Sequence, residues 1–200
     1  MKFRFALFAW LLLAIALAGC GSQAPAFHGT LLQPPLAVAD FALTNQDGQT
    51  MHLNDFRGSP TLLFFGYTNC PDACPITLAQ FKQIRGTLGA DAARVRFVFV
   101  TVDPARDTPA QMKQYLANFD PTFIGLTAAP ETLAQVYHAY GISVEKIMPS
   151  EHAQHGMPGM VAHTSSVFLL DDQGQVRLIY TDIPWQDVAT DLRFFLTKSA

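Results

Sequence analysis

Apolar residues along this chain fall into two rhythms, and the alternation of those rhythms predicts the fold. Pro60 leads into Thr61-Leu62-Leu63-Phe64-Phe65-Gly66-Tyr67, an unbroken apolar run of strand length that suits a strand buried on both faces. Val95-Arg96-Phe97-Val98-Phe99-Val100-Thr101-Val102 is a second β-branched and aromatic run, hence a second central strand. Between them, Ile76, Leu78, Ala79, Phe81, Ile84 and Leu88 keep helical spacing, and Gly86 to Gly89 end that helix. Thr108-Pro109 supplies a cap and a first-turn proline for the next helix, whose buried stripe is Met112, Tyr115, Leu116 and Phe119.

A short strand at Phe123 to Leu126 follows, then a helix from Pro130 to Tyr140 stopped by Gly141. Ile142 to Ile147 reads as a strand, and Pro149 to Met160 as an irregular loop. His163 to Leu170 is the next strand; Asp171-Asp172-Gln173-Gly174 turns it into Val176 to Tyr180, and a last helix covers about Pro184 to Leu196. Near the start, Ala39 to Leu43 and Thr50 to Leu53 flank the turn dipeptide Asp47-Gly48 and predict a hairpin. Strands alternating with helices and closed by a hairpin and helix predict an α/β domain, a mixed sheet covered on its faces.

The N-terminus stands outside that pattern. Lys2 and Arg4 precede an apolar run from Phe5 to Leu17, shorter than the roughly 20 residues a spanning helix needs. A basic start, a short apolar run and small residues describe a secretory signal, 1–19. Leu17-Ala18-Gly19-Cys20 looks like a bacterial lipobox, with Cys20 as the lipidated first residue of the mature chain; an uncleaved anchor helix is the alternative. Residues 20–35, rich in Gly, Ser, Ala, Gln and Pro, read as that lipidated end and a tether, leaving 36–200 as the domain. The expected place is the periplasmic side of a bacterial membrane, with inner and outer membrane both open.

Composition narrows the chemistry. Half the residues are hydrophobic, enough for one packed core in a chain of 200, and the net charge of −3 leaves no footprint for nucleic acid. Three cysteines are present, and if Cys20 carries the anchor only Cys70 and Cys74 remain, in a compartment that oxidises thiols. They sit in Gly66-Tyr67-Thr68-Asn69-Cys70-Pro71-Asp72-Ala73-Cys74-Pro75, between a buried strand and a helix N-terminus, where a thiolate is favoured. Pro75 suits the first helical position, which puts Cys74 at or beside the cap.

Redox sites of this kind commonly separate their cysteines by two residues; here there are three. At i and i+4, on any helical backbone, two sulfurs share one face and can chelate a soft ion or close a disulfide. A purely structural bridge over so short a loop contributes only about 2 kcal/mol. Two thiolates suit Cu(I), and an added imidazole suits Cu(II), whereas structural zinc asks for four protein ligands. Of six histidines, His28 falls in the tether, His52 in the early hairpin and His138 on a helix. His163 heads a strand after a long loop, where it could close over the cysteines. The loop before it carries Met148, His152, His155, Met157 and Met160, either chance composition or a transient copper-entry site.

Cys70-Pro71-Asp72-Ala73-Cys74-Pro75, Thr101-Val102-Asp103-Pro104-Ala105-Arg106-Asp107-Thr108-Pro109 and His163-Thr164-Ser165-Ser166, in that order, resemble the Sco/SenC copper chaperones of cytochrome c oxidase assembly. The resemblance spans roughly residues 36 to 197. It implies a thioredoxin-like fold with a central mixed sheet flanked by helices and an extra N-terminal hairpin. It also implies Cys70, Cys74 and His163 as copper ligands, a Cys70/Cys74 pair that cycles between dithiol and disulfide, and the binuclear copper centre of oxidase subunit II as client. The same resemblance makes other periplasmic copper carriers or thiol reductants candidates as further partners. Many relatives use a transmembrane helix where this chain has a lipobox.

Asp103 either tunes the ligands or ends its strand, Asp107 or Thr108 caps the next helix, and Asp72 favours the turn. Three functions fit these residues: copper delivery, thiol–disulfide exchange without copper transfer, and a thiol peroxidase, which would need a sulfenic acid on Cys70 or Cys74.

Overall fold

The structure, a computed structural model, describes residues 26–146, 161–163, 165–182 and 184–198. The signal, Cys20 and the His/Met-containing loop 148–160 lie outside the described residues. Among the described residues, ten strands and four α-helices pack around one core. In chain order they are β1 (Thr30–Ala37), β2 (Ala42–Asn45), β3 (Thr50–His52), β4 (Thr61–Gly66), α1 (Ala73–Leu88), β5 (Arg96–Thr101), α2 (Pro109–Ala117), β6 (Ile124–Thr127), α3 (Pro130–Tyr140), β7 (Val144–Lys146), β8 (Val161–His163), β9 (Val167–Leu170), β10 (Gln175–Tyr180) and α4 (Trp185–Lys198).

Eight strands make a mixed sheet in the order β1-β10-β9-β4-β5-β6-β2-β3, and β7 and β8 form a separate antiparallel ribbon. Every residue of β4 is buried, as its unbroken apolar run predicts. β4, β5 and β6 are parallel, so the loops after β4 and β5 leave the sheet at one edge. β9 runs antiparallel to β4, with Val167 opposite Phe64 and Leu170 opposite Thr61, which brings the start of β9 to that same edge. Tyr180, the last residue of β10, pairs with Val167 and ends there too.

Three elements depart from the sequence reading. Residues 30–35, read as tether, begin β1, an edge strand on β10 whose pairing is interrupted between Leu31 and Leu36. Pro34 and Pro35 disguise it, yet proline is tolerated where a strand has only one neighbour. The stretch from His163 to Leu170 is two strands in two sheets, because β8 follows β7 before the chain enters the main sheet. Helix α1 begins at Ala73, three residues ahead of Ile76, so Pro75 lies at the third helical position and Cys74 at the second. A proline is harmless there, since the first four amides of a helix have no intrahelical acceptor.

The N-terminal segment is clamped to α4 through Asp191, which is 2% exposed. Its carboxylate accepts bonds from the amides of His28 and Gly29 at 3.0 Å and from the Tyr180 hydroxyl at 3.2 Å, and His28 Nδ1 lies 2.9 Å away. Phe27 packs beside the clamp, edge-on to Phe194 and stacked on Phe195.

The bond to Asp191 raises the His28 pKa above the ordinary imidazole value. A raised folded-state pKa contributes stability that is complete below the unfolded value of about 6.5 and lost as pH rises through the folded value. An NMR titration should place the His28 midpoint above about 6.5 in the parent and lower it toward that value in Asp191→Asn, where Asp187 remains beside the ring. An ordinary midpoint in the parent would contradict the bond.

Candidate metal and thiol site

The cysteine loop begins where β4 runs out of sheet. Gly66 is its last residue, and a Cβ added there would stand 2.8 Å from Cys74 Sγ and Phe99 Cε2 and 2.9 Å from Phe64 Cε1. Glycine is therefore required for the Cys74 sulfur to pack down against the end of the strand. Cys74 itself is fully buried, whereas Cys70 is half-buried.

Helix α1 has no side-chain cap from Asp72, the residue in the capping position. Instead the amide of Cys74, one of the orphan donors of the first turn, donates to Cys70 Sγ at 3.5 Å. The sulfur of Cys70 thus occupies the place of an N-cap oxygen, where the helix dipole favours negative charge. The Cys70 side chain beside it and burial push the Cys74 thiol well above its ordinary range. The two cysteines are unequal: one faces outward at a helix N-terminus, the other sits in the core.

The loop after β5 holds the cysteine loop in place. Asp107, fully buried, accepts from the Thr68 hydroxyl at 2.6 Å and from its amide at 3.1 Å, and from the Thr101 hydroxyl at 2.6 Å. Burial pushes its carboxyl upward in pKa, and the hydrogen bonds from Thr101 and Thr68 oppose that shift. Asp107 therefore does not cap α2; Thr108 does, accepting from the Gln111 amide at 3.3 Å. Buried Asp103 donates its amide to Thr101 Oγ1 at 2.9 Å and pairs its carboxylate with Arg106. The Arg106 guanidinium lies over the Tyr67 ring, 5.9 Å from its centroid. From α3, Tyr137 donates its hydroxyl to Thr101 O at 2.6 Å and so fixes the end of β5.

Tyr67 joins these elements to the ribbon. Its hydroxyl accepts from the Val161 amide at 3.4 Å, so the first residue of β8 is held against the cysteine loop. His163 lies two residues further along β8, opposite Val144. The sheet register brings the following segment to the edge where Cys70 stands. The His163 side chain lies outside the described residues, and among those described no group of three or more His, Cys, Asp or Glu side chains could hold a metal ion. Of the other histidines, His28 and His52 bond Asp191 and Asp40, and His138 is in the last turn of α3.

Of the two caps the sequence offers for α2, Asp107 or Thr108, the structure takes Thr108, and the roles of Thr68, Thr101 and Tyr67 as hydrogen-bonding partners have no local sequence signal. Tyr115, placed by its spacing in the buried stripe of α2, has a buried hydroxyl with no hydrogen-bond partner among the described residues, and burial, with Cys74, Cys70 and Asp107 nearby, pushes its pKa up. The segment Thr101 to Pro109 carried a signal, as one of the three motifs that make up the resemblance.

The donor set fits a soft ion. Two cysteines joined by the bond from the Cys74 amide to the Cys70 sulfur, one half-buried and one buried, offer the pair of thiolates that suits Cu(I). Comparisons with known proteins point the same way. A SCO1/SenC family model matches residues 30–193. A SCO2-like protein of Rickettsia conorii is 32% identical over 156 residues, 77% of this chain and 74% of that one. The structure of Bradyrhizobium japonicum ScoI with copper bound superposes with a TM-score of 0.71 at 35% identity, covering 79% of this chain and 98% of that one. BsSco, described as a member of the Sco family of cytochrome c oxidase assembly proteins with a disulfide switch, gives a TM-score of 0.63 at 25% identity, over 84% of this chain and 97% of that one. The thioredoxin-like fold with a mixed sheet is thereby borne out.

Two substitutions test the scaffold. Asp107→Ala strands the Thr68 and Thr101 donors and should lower unfolding free energy by about 2–4 kcal/mol in urea, with Asp107→Asn closer to the parent. Gly66→Ala overpacks the site, with an expected loss of about 1–3 kcal/mol and faster reaction of Cys74 with a thiol reagent.

Proposed function

The chain belongs to the SCO1/SenC family, and from that premise we propose that Cys70, Cys74 and His163 bind one copper ion for transfer to a client protein. Sco proteins bind copper and are linked to cytochrome c oxidase assembly. The client in this reading is the binuclear copper centre of oxidase subunit II. The protein acts from the periplasmic side of a bacterial membrane, tethered through lipidated Cys20.

The observation that carries the proposal is the bond from the Cys74 amide to the Cys70 sulfur. It presents a partly exposed sulfur at a helix N-terminus with a second, buried sulfur behind it. Copper is cargo here. Cu(I) takes the two thiolates, and the imidazole of His163 extends the set to one that also suits Cu(II). A site of few ligands, one of them facing solvent, lets an incoming client thiolate join before Cys74 lets go. The Tyr67 bond to β8 and the Asp107 bonds to Thr68 keep the donors in register through that exchange.

The same asymmetry favours a second reading, reduction of the client's cysteines. Cys70 as thiolate attacks a client disulfide, forming a mixed disulfide and releasing one client thiolate. Cys74, once deprotonated, then attacks Cys70, closing the Cys70–Cys74 disulfide and releasing the second client thiolate. Two electrons pass from this pair to the client.

Anaerobic titration of the reduced protein with Cu(I) and with Cu(II), in the parent and in His163→Ala, tests the copper reading. One equivalent should bind, with the thiolate-to-copper(II) absorption lost in the variant and Cu(I) binding largely kept. Equal affinity of parent and variant for both ions would remove His163 from the site. Absence of stoichiometric binding, with Cys74→Ser trapping a dithiol client on Cys70, would favour reduction.

A further inference from the structure

Beside the cysteine loop, at the edge where β9 begins and β10 ends, lies a groove of about 480 Å³. Its apolar wall is made by Ile76 and Phe81 of α1, Val167, Tyr180 and Val188. Ile76 is 53% exposed, one of two large apolar residues on the surface among the described residues. A solitary exposed isoleucine needs no explanation, but this one is continuous with a concave apolar surface that begins at Asp72 and Ala73, between the two cysteines.

The charged residues on its lining are Asp72 and Asp182, and no lysine or arginine is among the described ones. Neither carboxylate is in an ion pair among the described residues. Asp182 has φ +53°, a left-handed conformation uncommon outside glycine and tolerated by aspartate and asparagine. Glycine would relieve the backbone there but would remove the negative charge from the mouth of the groove.

We propose that this groove is the client-docking surface of the site, and that it takes an extended segment presenting one large apolar side chain with a lysine or arginine beside it. The proposal rests on the reading that Cys70 and Cys74 act on a client protein's thiols. The apolar side chain enters against Ile76 and Phe81, and the cation meets Asp182 and Asp72. Because the groove is continuous with the cysteine loop, a segment seated there holds its neighbouring cysteines at Cys70. The apolar wall supplies affinity; the two carboxylates choose the partner's sign of charge and make binding fall with salt.

The test uses the full-length chain in detergent micelles, with and without one equivalent of Cu(I), and fluorescein-labelled dithiol peptides differing only at one flanking pair: Leu-Lys, Ala-Lys, Leu-Glu and Ala-Ser. Anisotropy should show Leu-Lys binding about ten-fold tighter than Ala-Ser, as expected for burying one large apolar side chain. Ile76→Ser should abolish the preference for leucine over alanine, and Asp182→Asn, which tolerates the same backbone, should weaken the preference for lysine and flatten the salt dependence. Both variants should still bind one equivalent of Cu(I), since neither changes a sulfur or buried scaffold residue.

Equal affinity for all four peptides in a copper-binding parent would overturn the groove proposal and leave the copper reading standing. Loss of copper binding with the Leu-Lys preference intact would sink the copper reading and support the groove as a docking surface for a thiol client. A change of oligomeric state in Ile76→Ser would make a second copy the occupant. Tighter peptide binding in that variant would make a segment of the same chain the occupant. Either of these last results overturns the proposal.

Discussion

Burial of β4 on both faces is the constraint from which the site follows. A strand whose six residues are all enclosed must have neighbours on both sides and helices above and below, and it cannot slide without exposing phenylalanine and leucine. Its register with β5 is thereby fixed from Thr61 opposite Arg96 to Gly66 opposite Thr101. The last residue of β4 and the last of β5 stand side by side. The two loops that follow them have no choice but to meet, and β9, antiparallel on the other side, delivers a third segment to the same place.

What the loops do on meeting depends on a second layer of interactions. The Asp107 carboxylate is buried where a charge is costly, and the donors from Thr68 and Thr101 offset that cost. A single group thus pins the loop that carries Cys70 to the strand beside it. Tyr67 performs the corresponding task toward β8, through the Val161 amide. Neither residue offers a sulfur or an imidazole, yet the spacing between sulfur and β8 depends on both.

The inequality of the cysteines has its origin in the same geometry. Cys74 is inside the first turn of α1 and packs on a glycine; Cys70 is outside the helix and caps it with sulfur. The groove that opens between α1 and the ends of β9 and β10 begins at Asp72 and Ala73, between the two cysteines in the chain. Chemistry at the sulfur and recognition of whatever carries the acceptor thiols are thereby placed on one continuous surface.

The sequence by itself determined the elements that local physics controls. β4 and β5 were legible from unbroken apolar runs, α2 from Thr108 and Pro109, α3 from its proline start and Gly141 stop, and the early hairpin from Asp47-Gly48. It also marked Cys70 and Cys74, because two thiols four residues apart between a strand and a helix have few uses. Tertiary structure alone decided the rest. β1 was hidden because two prolines on an edge strand look like linker, and β8 was merged with β9 because pairing with β7 is not written in periodicity. The Asp107 bonds join residues 39 and 6 positions apart, and the groove brings together α1, β9, β10 and the start of α4. Contacts between segments distant in the chain leave no local pattern, so sheet register and burial, rather than spacing, decide them.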